Sequence, residues 1–201
     1  MSQAKANNFQ RIRALSRKQQ GLLSLMILER MLPNYTLFVE VTDFPQPHKI
    51  DNIMNSLWEK LLVHGTKVNF SALEEKVEQL TPDENQFDMY GVYPAIFFCT
   101  GLLTYIAGEI VEEDSDAVAI SKISQGNIVH LLEYQADLEG VEIDNDTIRN
   151  NELMQIEMQL LTELIDWLET LNLKSLSFKD IKQQALAKVQ ADGVTNIGIG
   201  V

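Results

Sequence analysis

Apolar positions along this chain recur at intervals of three and four residues, and runs that alternate residue by residue between turns are almost absent, so helices are predicted throughout. Phe9, Ile12, Leu15, Leu22, Leu23, Met26 and Ile27 share one face of a first helix that should run from a cap at Asn7 or Asn8 to Leu32. Pro33 should end it and stand at the first position of a short helix carrying Tyr35 and Phe38. Asp43-Phe44-Pro45-Gln46-Pro47 reads as a rigid turn into a helix with Ile50, Ile53, Met54, Leu57, Trp58 and Leu61 on its apolar side, stopped near His64 and Gly65.

Ser71 with Glu74, and Thr81 with Glu84, have the spacing of capping boxes and predict two helix starts. A hydrophobic helix over 92–112 follows, then one over 116–139 with caps among Asp114, Ser115 and Asp116 and a stop at Gly140. Asp144 or Asp146 opens the next. In it Leu153, Ile156, Leu160, Leu164, Trp167 and Leu171 make a seam that faces another helix, in the same chain or across a dimer. Ser177 with Asp180 starts a last helix reaching about Ala191, and the apolar tail from Asn196 to Val201 should tuck into a groove.

Residues 89–108 are uncharged, about the length that spans a bilayer. Pro94, three glycines and three tyrosine hydroxyls interrupt the run, which favours a central helix enclosed by others over a membrane span. No fixed-period repeat appears, and 201 residues suit one domain over 1–201. The prediction is an all-α, single-domain helical bundle of about seven to eight helices with a buried hydrophobic central helix near 92–112.

Charge changes the picture in two ways. The net charge of −13 argues against nucleic acid, whose phosphates demand a basic face. The charge is also unevenly spread. Residues 1–33 carry six bases against Glu29, whereas 107–170 carry sixteen acids against Lys122 and Arg149. The basic first segment could dock on the acidic belt of its own chain, on that of a second copy, or on another anionic surface. An acid-free start with five bases also matches an organellar transit peptide, but its continuous apolar face suits a permanent core helix better. The lone Cys99 lies in an apolar run, which excludes an intramolecular disulfide and fits a reducing, cytoplasmic setting.

Few chemistries have the residues they need. None of the three histidines has a glutamate three places earlier, and Cys-x-x-Cys, phosphate-loop, dinucleotide and Gly-x-Ser-x-Gly patterns are missing, so no metal and no cofactor is expected. His130 and Glu133 lie one helical turn apart, and Cys99 or Tyr105 would complete a nucleophile or acid site beside them. A better cluster has polar groups embedded beside large apolar ones: Glu29-Arg30, Trp58-Glu59, Asn69-Phe70 and the stretch from Asp88 to Pro94. Such groups either tie helix ends together by hydrogen bonds or orient a small ligand in a pocket.

These segments also carry a family resemblance. Leu28-Glu29-Arg30-Met31, Pro33-Asn34-Tyr35, Leu57-Trp58-Glu59, Lys67-Val68-Asn69-Phe70, Phe87-Asp88 with Tyr90-Gly91-Val92-Tyr93-Pro94-Ala95, and Asn196-Ile197-Gly198-Ile199 resemble the YjaG family of small bacterial proteins of unknown function. The resemblance spans nearly the whole chain and implies a cytoplasmic, all-helical bacterial protein, with no activity, cofactor or catalytic residue to carry across. With Asn34 and Tyr35 added from the Pro-Asn-Tyr motif, the candidate cluster is Glu29, Arg30, Asn34, Tyr35, Trp58, Glu59, Asn69, Asp88, Tyr90 and Tyr93.

The function expected from these features is a non-enzymatic interaction module, a homodimer or a binder of a protein partner, with neither nucleic acid nor membrane as partner. It would use the acidic belt, the basic first helix or the seam that starts at Leu153. The alternative is a small-molecule-binding protein or hydrolytic enzyme with its pocket near Asp88 to Tyr93.

Overall fold

The computed structural model describes residues 7–42, 44, 48–111, 117–173 and 176–201. Among them the regular elements are helical: α1 (Asn8–Ala14), α2 (Arg17–Thr42), α3 (His48–Leu62), α4 (Phe70–Leu80), α5 (Val92–Ile110), α6 (Ala117–Glu139), α7 (Asn145–Asn150), α8 (Glu152–Thr170) and α9 (Phe178–Val189), with one 3₁₀ turn at Glu84–Gln86. The molecule is an all-α bundle.

The first predicted helix is two helices. Asn7 and Gln10 cap α1 reciprocally, the chain turns extended at Leu15, and Ser16 and Gln19 then bond each other's backbone amides to start α2. Ser16-x-x-Gln19 is a capping box inside the apolar pattern, and it prevails over continuity. Pro33, expected as a stop, lies inside α2. Its ring denies one helical hydrogen bond, a local cost of about 3 kcal/mol. Beyond it Asn34, Tyr35, Phe38 and Val39 are all buried, and ending the helix at Leu32 would expose them.

Other boundaries shift for local reasons. Asn69, not Ser71, caps α4 by accepting from the Ala72 amide, and Thr81 closes α4, its hydroxyl donating to the Val77 carbonyl. Asp83 caps the turn that Thr81 was expected to start. The helix expected over 147–171 is interrupted at Asn151, which ends α7 and caps α8. Gly140, at φ +68°, stops α6, where the Gly140 and Val141 amides donate to the Asp137 and Ala136 carbonyls. The turn at 43–47, apart from Phe44, and the caps at 114–116 lie outside the described residues.

The buried face of α8 is turned by one position from the predicted seam. Met154, Glu157, Leu161, Ile165 and Leu168 point inward together with Leu164, while Ile156 is exposed and Leu153, Leu160, Trp167 and Leu171 are half-buried. One position is about 100° of helix rotation. A glutamate at the centre of the inward face hid the true stripe. α8 packs within its own chain, against α1, α2, α6 and α7.

The core is organised about α2, which packs against α3, α5, α6, α8 and α9. The hydrophobic helix α5 shares that centre, lying on α2, α4 and α6. By length and composition both α2 and α5 would span a bilayer, and most of the apolar window of α2, though under half that of α5, is buried in the fold. They run antiparallel, as Gly21 beside Tyr105, Leu28 beside Gly101 and Tyr35 beside Phe98 show. Trp58, Tyr35, Phe38 and Phe98 are fully buried in the main core, and a smaller one gathers Ile128, Leu132, Ile148, Met154 and Ile197.

The basic first segment docks on the chain's own acids. Arg11 pairs with Asp166 and Glu169 of α8, Arg17 with Glu109 of α5, and Arg30 with Glu157 and Asp192. Both flanking carboxylates raise the Arg11 pKa.

α2 and α5 approach closely at Gly101, where a Cβ would stand 3.0 Å from Leu28 Cδ2. Gly101→Ala should change stability by less than about 1 kcal/mol, since gained helix propensity offsets a contact with a movable methyl. Gly101→Leu should cost about 2 kcal/mol or more in urea unfolding, because no such space exists.

Candidate functional site

Glu29 and Arg30 are the only charges in α2 between Gln19 and Val39, and a buried charge must find partners or lose its proton. Arg30 Nη1 and Nη2 grip Asp192 Oδ1 and Oδ2 at 2.9 and 2.7 Å, and Nε donates to Glu157 Oε2 at 3.2 Å. Nη1 also donates to the Val189 and Val194 carbonyls, each at 3.0 Å, so the guanidinium caps the carboxyl end of α9. Glu157 Oε1 in turn accepts from Ser124 Oγ at 2.6 Å. Asn196 Nδ2 donates to the Ser124 carbonyl and hydroxyl, and Asn34 Nδ2 donates to Asn196 Oδ1 at 2.8 Å.

One polar chain therefore joins α2, α6, α8, the end of α9 and the tail. The side chains of Arg30 and Glu157 are only 3% and 8% exposed. Burial pushes the Glu157 carboxyl up against the opposing pull of Ser124 and Arg30. Burial also works against the Arg30 charge, but Asp192 and Glu157 outweigh it and its pKa rises. The hydrogen bond from Arg30 holds the Asp192 carboxyl below its usual range.

The tail is clasped by these bonds. Gly193 and Gly198 take positive φ, the Thr195 amide donates to the Ile199 carbonyl, and the Val201 amide donates to the Gly193 carbonyl. Ile197 then enters the smaller core, as the apolar tail pattern predicts. Three buried amides nearby in sequence are incompletely partnered among the described residues: Asn34 Oδ1, Gln125 Nε2 and both amide atoms of Asn127.

A second cluster lies where α5 begins and α6 ends. Tyr90 stacks on Tyr134 with ring centroids 4.5 Å apart, Tyr93 on His130 at 4.5 Å, and Phe97 approaches His130 edge-on at 5.8 Å. Tyr90 OH stands 3.3 Å from His130 Nδ1. Burial pushes the Tyr90 phenol pKa up, so the ring stays neutral. Past Tyr134, Leu138 one turn further along α6 is exposed, and so is Val141 beyond the Gly140 stop.

The ten predicted site residues occupy several places instead of one pocket. Only Arg30 and Asn34 enter the buried network. Trp58 Nε1 donates to Glu29 Oε1 at 2.6 Å, in surroundings whose burial raises the Glu29 pKa. Tyr35 OH donates to the Leu80 carbonyl at 3.0 Å inside the core. Asn69 is a helix cap, Glu59 and Asp88 are exposed, and Tyr90 and Tyr93 belong to the aromatic cluster. The acid–base grouping about His130 does not assemble as expected. Cys99 faces the Leu80 carbonyl with its thiol pushed up to about 12 by burial, and Tyr105 lies beside Gly21. Among the described residues no three His, Cys, Asp or Glu side chains converge as a metal ion requires.

Ser124, Glu157 and Asp192 were missed because they lie 94, 127 and 162 residues from Arg30. The available signal was the isolated arginine itself, which demands carboxylates without naming them.

The helical fold of this chain is shared with known proteins. Residues 7–200 match the family model described as a protein of unknown function, DUF416, and the chain belongs to that family. An uncharacterized protein of Haemophilus influenzae is 35% identical over 86% of both chains, and the uncharacterized protein YjaG of Escherichia coli is 31% identical over 94% of both. The crystal structure of a DUF416 family protein from Shewanella baltica superposes with a TM-score of 0.84 at 29% identity, over 98% of this chain and 100% of that one.

Arg30→Met should destabilise the protein by about 3–5 kcal/mol, because it strands Glu157 in the interior, and Arg30→Met with Glu157→Leu should recover much of that loss in urea unfolding. The pH dependence has a definite sign. A carboxylate whose folded pKa lies below its unfolded value of 3.8 stabilises the fold above that pH and loses the effect as pH falls through the folded value. Thermal melts of wild type and Asp192→Asn should accordingly differ at neutral pH and converge below about pH 4.

Proposed function

We propose that this protein is a non-enzymatic interaction module whose docking face is the terminal side of α6. The observation behind this reading is two exposed apolar side chains one turn apart on α6, Tyr134 at 38% and Leu138 at 71%, with Val141 at 53% just past the Gly140 stop and Met89 at 39% next to Tyr90. Isolated exposed apolar residues are ordinary, but a short strip of them on a rigid base is characteristic of protein contact surfaces. Its base is rigid because Tyr134 lies on Tyr90, and tyrosine supplies large contact area at little conformational cost.

The strip also has a charged rim. Residues 133–142 hold Glu133, Asp137, Glu139 and Glu142 and no base, and Asp88 lies in the segment leading to Tyr90. None of these carboxylates forms an ion pair among the described residues, unlike Glu109, Glu157, Asp166 and Glu169 elsewhere in the acidic belt. An apolar centre with an unneutralised acidic rim favours a partner surface of apolar and basic residues, and such binding weakens with salt.

A photo-crosslinking side chain at position 138, introduced in cells that make the protein, should yield a discrete protein adduct. The adduct should diminish with Glu133→Lys and Asp137→Lys and be missing when the same group is placed at Asn85. Equal labelling at 138 and 85 would overturn the reading.

A further inference from the structure

We infer that the partner of the α6 face is a second copy of this chain, docked through α9. This inference rests on the docking role proposed above and names the occupant. The complement to an acidic, apolar strip is present on the same molecule. Along α9, Phe178, Lys182 and Leu186 recur every four residues and line a shallow surface groove of 590 Å³, with Lys179 and Gln183 on its wall. The helix carries Lys179, Lys182 and Lys188 against Asp180, a net +2 in a chain of net −13.

The two surfaces are opposite in sign. Lys179 is exposed and makes no ion pair among the described residues. Lys182 is held in place, donating to Asn55 Oδ1 at 2.8 Å with its ammonium 5.6 Å from the centroid of the Trp58 ring. The groove thus offers a fixed ammonium and a free one between two apolar side chains. The rim of α6 offers Glu133 and Asp137, one helical turn apart, beside Tyr134 and Leu138.

A two-fold axis would make the contact twice, α6 of each copy on α9 of the other. Pairing like faces would instead oppose the carboxylates of two acidic rims, which is repulsive. Among the partners that an acidic strip could take, the second copy is favoured because its groove is complementary in charge and is always present at equal concentration.

The test uses the full chain and two charge-reversed variants at exposed positions, Glu133→Lys/Asp137→Lys on α6 and Lys179→Glu/Gln183→Glu on α9. Light scattering at micromolar concentration and low salt should give wild type about twice the monomer mass of 22.8 kDa. Raising the salt tenfold should weaken the dimer by about an order of magnitude. Each variant alone should be monomeric, with circular dichroism and melting like wild type. Mixed in equal amounts the two variants should form a dimer, since each reversed face then meets its opposite. Should either variant melt, Leu138→Ser at the most exposed position carries the same expectation of a monomer. A monomeric wild type, variants that still dimerise, or a mixture that stays monomeric would each overturn the inference. A position-138 adduct with a different protein would overturn it too, while leaving the docking role of α6 standing.

Discussion

The fold depends on how it accommodates one arginine. Arg30 sits in the helix against which α3, α5, α6, α8 and α9 pack, with its side chain almost wholly out of water. A guanidinium cannot shed its proton there, so the surroundings must supply acceptors. Two carboxylates and two carbonyls do so, and they come from α8, the end of α9 and the tail. The bonds have directions, which distinguishes them from the apolar contacts around them. Hydrophobic burial would tolerate α8 in several rotations, whereas Glu157 must face Arg30 and Ser124. The polar chain thereby sets the register of the second half of the molecule on the first.

The surface follows a different logic. Three of the six bases of the first segment are paired within the chain: Arg11 and Arg17 tether the start of the bundle to α8 and α5 as Arg30 tethers its end. A group of acids that form no ion pair among the described residues, Glu133, Asp137, Glu139 and Glu142, lies around the end of α6, where the aromatic cluster also surfaces. Charge left over from internal pairing and apolar area left over from core formation thus coincide in one place. That coincidence is the ground on which we propose a docking role for this face.

Much of the architecture was legible in the pattern of residues. The caps at Asn7 and Ser177, the stop at Gly140, the apolar face of α3 and the insertion of the tail all rest on interactions within a few residues, which spacing reports directly. Errors arose where distant contacts outvoted local preference. Pro33 is tolerated because Tyr35 and Phe38 beyond it are anchored in the core, and the seam on α8 was misplaced because Glu157 was counted as a surface residue. The candidate cluster failed in a related way: polar residues beside large apolar ones were correctly singled out as needing partners, yet Glu29, Tyr35 and Arg30 satisfy that need in three separate places.

The sequence by itself determined an all-helical chain, its order of elements, its charge asymmetry and its membership of a bacterial family, because periodicity, capping and composition are properties of short stretches. Only the tertiary structure decided which charges are neutralised and which are left facing solvent. Arg30 meets Asp192 across 162 residues and Arg11 meets Glu169 across 158, and no local rule selects those partners from the sixteen acids of the belt and the others beyond it. Pairing over such distances is set by the packing of helices around α2, where the high cost of an unpaired buried charge leaves one arrangement.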